Sequence, residues 1–150
     1  MPDGTAQRWF ALFNDIAILA QLSGALMEAR LPPGFLVSHY GVLSHLSRVK
    51  DGRTPLDLAR AFQVPKTTMT HTLAGLEKAG LVRVAPNPAD GRSKCVWLTE
   101  EGRSFLTRAV AALAPDMAAL EAAHPLATLG EAPEALAHLR TVMDKMRDAL

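Results

Sequence analysis

Apolar side chains recur at helical spacing from the start of the chain, with interruptions at proline and glycine. Residues 6–28 are rich in helix formers, and their apolar positions near helical spacing are Trp9, Phe13, Ile16, Ala20 and Met27. The run Leu31-Pro32-Pro33-Gly34 ends this first helix, because proline lacks a backbone donor and disfavours helical geometry in the preceding residue. A second helix is predicted from about Phe35 to Arg48, and its buried face is expected to consist of Leu36, Tyr40, Leu43 and Leu46.

A short third helix is predicted to begin at Thr54. Threonine at the N-cap, proline at the first helical position and Asp57 near the positive end of the dipole are typical of a helix start. The helical pattern stops at Gln63, and Pro65 starts another helix after a tight turn. The apolar face of the third helix is expected to consist of Leu56, Ala59 and Phe62. Helix, turn and helix together predict a helix-turn-helix.

The fourth helix is predicted from about Lys66 to Ala79, with Gly80 as its C-terminal cap. Its buried face is expected to consist of Met69, Leu73 and Leu76. Its early outer face carries the hydrogen-bonding side chains Lys66, Thr67, Thr70 and His71. The second helix of a helix-turn-helix places these positions in the major groove, where all four base pairs can be distinguished.

Two short runs rich in valine and leucine follow, Leu81–Ala85 and Ser93–Leu98, and they favour β-strands. They are separated by Pro86–Arg92, whose Pro, Asn, Asp and Gly residues are turn formers. We predict a β-hairpin with a long loop and Arg92 near its tip. A hairpin directly after a helix-turn-helix is a wing, and a guanidinium there can enter a narrow minor groove or bind phosphates.

The C-terminal third predicts two more helices with apolar stripes. Thr99 is expected to cap the first of them, and the stretch from His124 to Gly130 separates the two. Both stripes are of the coiled-coil type, which suits packing against another helix. Their members are Leu106, Val110, Leu113, Met117 and Leu120 in the first, and Leu136, Leu139, Met143, Met146 and Leu150 in the second. The predicted fold is mainly α with a small β-hairpin wing (α+β), a winged helix-turn-helix flanked by N- and C-terminal helices.

The composition describes one globular domain without disulfides. The chain has 150 residues, of which 49% are hydrophobic, so it is too short for a large multidomain enzyme. Its one cysteine, Cys95, allows neither an internal disulfide nor a cysteine zinc site, which fits a reduced cytosol. The longest uninterrupted apolar run, Ala109–Ala114, is too short to span a membrane, and Met1–Gly4 lacks the basic start of a secretory signal. We expect a cytoplasmic protein with no membrane association.

The net charge of +1 hides an uneven distribution along the chain. Residues 40–110 hold 11 Lys and Arg against 6 Asp and Glu, whereas the remaining residues hold 5 against 9. A basic middle with acidic flanks indicates that the middle meets a polyanion. A chance distribution of solvated charges would look similar, so the motifs must decide.

A series of short motifs runs from Thr54 to Gly102. Its members are Leu56–Phe62, Lys66–His71, Leu76–Val82, Pro86–Arg92 and Val96–Thr99. The most specific part is an Asp-x-Arg wing followed by a strand that ends Val-x-Leu-Thr. This series strongly resembles the MarR family of winged-helix transcriptional regulators. The flanking helices, one before and two after, have the same order, so the resemblance covers nearly the whole chain.

The resemblance implies a single MarR-like chain over 1–150, with a winged-helix DNA-binding part at 31–102 and dimerisation helices at 6–30 and 103–150. It implies a sequence-specific regulator of double-stranded DNA, a homodimeric and ligand-responsive repressor on a pseudo-palindromic operator, with no enzymatic activity, metal or cofactor. The DNA contacts expected on the fourth helix and the wing are Lys66, Thr67, Thr68, Thr70, His71, Arg83, Arg92 and Lys94.

Members of the family bind a small, often aromatic or anionic, effector between the dimer helices and the winged domain. The side chains that would lie near such a cleft are Trp9, Phe13, His39 and Tyr40. Taken as residues alone, the three aromatic side chains fit core positions better, and His39 fits a surface or internally bonded histidine.

Several positions depart from the family pattern. Basic residues are common in the family where Val84, Gly91 and Gly75 stand, so potential phosphate contacts are missing. Gln63 stands where the family usually has a turn glycine, and Pro65 replaces a capping serine or threonine. A left-handed Gln63 would cost on the order of 1 kcal/mol.

Two other classes of function are compatible with the residues. A winged domain that binds protein instead of DNA would fit the missing basic residues. A metal-binding helical protein would fit Glu121-x-x-His124, the spacing of di-iron helices, although the chain has no second copy of the pair. Cys95 is expected to be passive, because thiol reactivity requires a lowered pKa.

Overall fold

The computed structural model describes residues 4–148, which contain helices and one two-stranded antiparallel sheet. In chain order the elements are α1 (Thr5–Glu28), α2 (Val37–Arg48), α3 (Pro55–Phe62), α4 (Lys66–Lys78), β1 (Val82–Asn87), β2 (Asp90–Leu98), α5 (Glu100–Ala123), a 3-10 helix (Leu126–Leu129) and α6 (Ala132–Asp148). The predicted fold class is confirmed. The secretory-signal and second-stripe predictions rest partly on Met1–Asp3 and Leu150, which lie outside the described residues.

The chain divides at Leu113 into two compact units, and α5 runs through the division. The first unit contains α1 to α4, the hairpin and the beginning of α5. The second contains the remainder of α5, the 3-10 helix and α6.

The core of the first unit lies between α2, α3, α4 and the hairpin. Its fully buried side chains are Val42, Leu43, Leu46, Leu58, Leu76 and Val96. The start of α5 closes this core, where the ring of Phe105 packs against that of Phe35 with centroids 4.8 Å apart. Gly102 permits this close approach, because the carbonyl oxygen of Leu81 occupies the space that a Cβ would need. A larger residue at this position would push α5 away from the hairpin.

The turn between α3 and α4 contains a non-glycine residue in left-handed geometry. The N–H of Asp57 donates to Oγ1 of Thr54 at 3.1 Å, so the predicted N-cap is present. Gln63 ends α3 with φ 52° and ψ 44°, a conformation that costs a side-chain-bearing residue about 1 kcal/mol. Pro65 is the N-cap of α4, and it supplies no capping hydrogen bond from its side chain.

Two leucines that the helical pattern assigned to buried faces are exposed. Leu36 is 52% exposed, because it is the extended N-cap of α2 and not part of the helix face, while Val42 is buried there. Leu56 is 44% exposed, and α3 instead buries Leu58. A helix of only two turns offers too few periods to fix which apolar residue faces inward.

The hairpin is longer and its turn tighter than predicted. The strands extend to Asn87 and Asp90, so the turn proper is formed by Pro88 and Ala89 and not by the whole stretch Pro86–Arg92. The side chains that flank the turn explain the difference. Oδ1 of Asn87 accepts a hydrogen bond from the N–H of Ala89, and Oδ1 of Asp90 accepts one from the N–H of Arg92, both at 3.0 Å.

Helix α1 has no buried residue. Trp9 and Phe13, which fitted core positions on the residues alone, are 44% and 41% exposed. By length and composition alone, α1 could also cross a membrane, contrary to the expectation from uninterrupted apolar runs. The difference arises because scattered polar residues such as Asn14 and Gln21 shorten each run but leave the average hydropathy high. A single such helix near the N-terminus is weak evidence for a membrane span.

The second unit is a short helical pair joined by the 3-10 helix. Its connection is closed by local bonds, since the N–H of Leu126 donates to Oε2 of Glu121 at 2.9 Å, and Oγ1 of Thr128 lies 3.0 Å from Nε2 of His124. The Glu121 side chain, on the last turn of α5, therefore binds the first residue of the 3-10 helix, and the His124 side chain contacts Thr128 within that helix. Among residues 4–148, no group of three metal-ligating side chains is present.

Candidate nucleic-acid interface

Helix α4 separates an apolar face from a polar one, as the sequence predicts. The buried side chains on its inner face are Met69, Thr72, Leu73 and Leu76. The exposed side chains on its first two turns are Lys66, Thr67, Thr68, Thr70 and His71. Gly80 closes the helix with φ 73°, so the predicted cap is confirmed. All five predicted contacts on α4 therefore share the start of one helix and are accessible to a partner.

The start of α4 carries a concentration of hydrogen-bond donors. Pro65 places no side-chain acceptor over the first turn, so the backbone N–H groups of that turn face outward at the positive end of the helix dipole. Such an end favours a phosphate group. Oγ1 of Thr70 donates to the carbonyl of Lys66 at 2.8 Å, which leaves the oxygen lone pairs to accept from a base amino group.

The three basic side chains of the wing, Arg83, Arg92 and Lys94, do not lie on one face of the hairpin. Arg83 lies opposite Trp97 and Lys94 lies opposite Pro86, so the two basic side chains leave opposite faces of the hairpin. Arg92 lies beyond them near the turn, and its backbone N–H is fixed by Asp90. All three side chains are exposed. The structure thus places Arg92 near the turn, as predicted, but does not bring Arg83 and Lys94 to one surface.

The base of the wing is held by Asp51, which lies in the connection between α2 and α3. Oδ1 of Asp51 accepts hydrogen bonds from the N–H groups of Gly52 at 3.0 Å and Leu98 at 2.9 Å, and its Oδ2 lies 3.5 Å from Arg103. The carbonyl of Arg53 accepts from the N–H of Val96 at 2.8 Å and adds a bridge to β2. The Asp-Gly pair is a turn signal that could have drawn attention to Asp51.

The four predicted effector residues do not form one site within the chain. The rings of Trp9 and Phe13 are neighbours on α1, with centroids 5.7 Å apart. Helix α1 approaches α2 near Gly24, where an added Cβ would lie 3.9 Å from Cγ1 of Val37. Trp9 lies about 22 Å from Gly24 along the axis of α1, towards its N-terminus, because each helical residue adds about 1.5 Å. It therefore lies far from His39 and Tyr40 on α2.

Tyr40 instead lines an open cavity of about 390 Å³ between α2 and α5. Its lining residues are Tyr40, Ser44, Ser47, Arg48, Leu106, Thr107 and Val110. The cavity combines one guanidinium and several hydroxyls with an aromatic ring and apolar side chains. This mixture suits a small molecule with an anionic end and an apolar body.

His39 is occupied by an internal hydrogen bond, as one of the sequence interpretations expected. The N–H of Leu36 donates to Nδ1 of His39 at 2.9 Å. Burial lowers the pKa of His39, and nearby His71 lowers it further. Cys95 is 3% exposed, so its thiol is not accessible to solvent reagents in the folded chain.

A helix-turn-helix with a polar outer face, followed by a wing with an arginine near its turn, defines the class of winged-helix DNA-binding proteins. Residues 34–93 match the model of the MarR family. Transcriptional regulator HosA of Escherichia coli O111:H- is 34% identical over 98 residues, which make up 65% of this chain and 71% of HosA. The chain belongs to the MarR family of winged-helix transcriptional regulators.

Solved structures share the fold over almost the whole chain. BldR from Sulfolobus solfataricus is 22% identical, with a TM-score of 0.75 that covers 94% of this chain and 98% of BldR. PcaV from Streptomyces coelicolor, solved in complex with its natural ligand, is 21% identical, with a TM-score of 0.64 that covers 86% of this chain and 89% of PcaV. At these identities the likeness concerns the fold. The family and the fold together support a DNA-binding transcriptional regulator.

Proposed function

We propose that the chain is a cytoplasmic, ligand-responsive repressor that binds a pseudo-palindromic operator as a homodimer. The observation that carries this proposal is the exposed polar face on the first two turns of α4, next in sequence to a wing with Arg92 near its turn. The helix supplies side chains of the types that read base edges, and the wing supplies a cation for the minor groove or the phosphates.

The homodimer is supported by apolar side chains that the single chain leaves in water. The strongly exposed ones on α1, α5 and α6 are Phe10, Leu19, Leu22, Val110, Leu120 and Met146. Large exposed apolar surface on helices with coiled-coil stripes is typical of a helical interface. Two copies related by a two-fold axis would present their α4 helices, the proposed recognition helices, to major grooves about 34 to 36 Å apart. This symmetry predicts an operator with inverted half-sites.

The effector is proposed to occupy the cavity that Tyr40 and Arg48 line. Its volume of about 390 Å³ lies in the range of small-molecule pockets. The guanidinium of Arg48 suits a carboxylate, while Leu106 and Val110 suit an aromatic body. PcaV, which shares the fold, was solved with a natural ligand. Trp9 and Phe13 would join this site only if they came from the second copy of the chain.

The decisive experiment is selection of bound duplexes from a random library by the purified protein. We expect enrichment of an inverted repeat, a dimer by light scattering, and a steep fall in affinity as salt rises. Addition of small aromatic acids should release the selected duplex. A protein that enriches no sequence, or binds duplexes weakly even in dilute buffer, would refute the proposal.

A winged module that binds protein is the second candidate, because Val84, Gly91 and Gly75 stand where cations are common in the family. Salt distinguishes the two candidates, since phosphate contacts impose a strong salt dependence on affinity and protein contacts do not. Stoichiometric iron or zinc in protein purified without added metal would revive the metal-binding alternative.

A further inference from the structure

The N-terminus of α2 is held by two side chains. The N–H of Leu36 donates to Nδ1 of His39 at 2.9 Å, and the N–H of Val37 donates to Oε1 of Glu28 at 2.8 Å. Because Nδ1 of His39 is an acceptor, the proton of the neutral ring resides on Nε2. The imidazole is therefore fixed in one tautomer and one orientation.

The Nε2 edge of this ring faces the recognition helix at Gly75. A Cβ built on Gly75 would lie 3.3 Å from Nε2 of His39, a tight contact that would require the ring to shift by a few tenths of an ångström. Gly75 is one helical turn beyond His71 and shares its side of α4. The His39 ring also packs edge-to-face against Phe35, with centroids 5.6 Å apart. The ring thus contacts both the segment before α2 and the helix that is proposed to read the operator.

We propose that His39 is a positioning residue for DNA recognition, because its ring fills the gap that Gly75 leaves between α2 and α4. In this position it sets how Thr70 and His71 approach the base edges. This role rests on the proposed operator-binding function of α4. It also gives a physical reason for glycine at position 75, since any side chain there would compete with the imidazole for space.

The quantity that His39 controls is sequence discrimination, the ratio of the Kd for an unrelated duplex to the Kd for the operator. Base-edge hydrogen bonds depend on the placement of α4, whereas long cationic side chains can reach phosphates from several positions. A displaced recognition helix therefore loses specific contacts before it loses non-specific ones.

A double-mutant cycle tests the contact directly. The variants are His39→Ala, Gly75→Ala and their combination, each measured at neutral pH with the selected operator and a shuffled duplex. We expect each single variant to lower discrimination about tenfold, the scale of one mismatched base pair. The double variant should discriminate better than either single one, because the new methyl at position 75 occupies space that the lost ring leaves. Purely additive losses would overturn the proposal.

The variant His39→Gln separates positioning from helix capping. A glutamine carbonyl can still accept the Leu36 N–H, as in a capping box, but it has no ring to place against Gly75. We expect its thermal midpoint to recover relative to His39→Ala while its discrimination stays low. Full recovery of discrimination would reduce His39 to a cap and overturn its positioning role. Ser38→Ala, at an exposed residue of α2 directly beside His39, is the matched control and should discriminate like the wild type.

The two possible failures are distinguishable. A wild-type protein that does not bind duplexes in dilute buffer removes both the operator-binding function and the role of His39. If the wild type binds duplexes with a steep salt dependence and the variants discriminate between sequences as well as the wild type, only the role of His39 is refuted.

Discussion

The carboxylate of Asp51 accepts a hydrogen bond from the backbone N–H of Leu98 at 2.9 Å, across 47 positions of sequence. The same Oδ1 accepts from the N–H of Gly52, so one oxygen connects the loop that follows α2 with the last residue of β2. The bond therefore connects the helical core of the domain to the base of its wing.

We expect Asp51→Ala to lower the free energy of unfolding by about 2 to 3 kcal/mol, because it leaves a partly buried N–H without its charged acceptor. Chemical denaturation measures this loss. Asp51→Asn is the matched control, since its amide oxygen can still accept from Leu98, and it should lose clearly less. Equal losses in both variants would mean that the charge matters and the hydrogen bond does not.

The wing supplies the second prediction. Arg92→Ala should weaken binding to all duplexes and reduce the slope of log affinity against log salt by ~1, because it removes one phosphate or minor-groove contact. Arg108→Ala removes the same charge from a side chain that already pairs with Glu101 at 2.7 Å, and it should leave the slope unchanged. Titrations of fluorescent duplexes over a salt series measure both. An unchanged affinity for Arg92→Ala would remove the wing from the mechanism.

The recognition helix supplies the third prediction. Thr70→Val keeps the branched shape but removes the hydroxyl, and His71→Ala removes the imidazole, so each should change the base preferred at one position of the selected site. Thr141→Val is the control, because Oγ1 of Thr141 bonds back to the carbonyl of Ala137 just as Thr70 bonds back to Lys66. Repeated selection with each variant is the measurement. An unaltered selected site would show that these side chains do not read bases.

The parts of the site that the sequence predicted are those controlled by local rules. Met69, Leu73 and Leu76 repeat over enough turns to fix the inner face of α4, and the outer polar face follows from helical geometry. Thr54 and Gly80 are local capping signals, and both act as predicted. These features depend on residues within a few positions of each other.

The parts that the sequence did not predict depend on distant partners. Two such features are the contact between Asp51 and Leu98 and the one between His39 and Gly75. Both exist only after the helices pack, so no rule of sequence spacing predicts them. The exposure of Leu56 has the same origin, because the core of the folded unit selects Leu58 in its place. Tertiary packing decides such cases over local pattern.

The fourth prediction concerns acid stability. Burial lowers the pKa of His45 from its ordinary value, and the nearby Arg53 lowers it further. Among residues 4–148, Nε2 of His45 and Nε of Arg53 are buried without a hydrogen-bond partner. The folded protein therefore takes up the proton less readily than the unfolded chain. The free energy of unfolding should be at its full value above about pH 6.5 and should decrease as the pH falls below it.

His45→Phe should make this decrease shallower, because its ring can still pack against Phe62 but cannot be protonated. His39, whose pKa is also lowered, should account for a remaining slope. Denaturant unfolding across the acid range measures both proteins. A variant as sensitive to acid as the wild type would exclude His45 as a cause.

The fifth prediction concerns the proposed dimer. Leu19 on α1 and Leu120 on α5 are 63% and 58% exposed in the single chain, which is unusual for leucines on long helices of a small domain. Leu19→Glu and Leu120→Glu should each yield a monomer in light scattering, because a buried carboxylate without a partner is costly at an apolar interface. Operator affinity should fall about a hundredfold or more, since binding of the second half-site is no longer intramolecular. Val49→Glu places the same charge at an exposed apolar residue next to α2 and should stay dimeric. A monomeric wild type would refute the proposed dimer. Variants that remain dimeric would place its interface elsewhere and leave the apolar faces of α1 and α5 without this explanation.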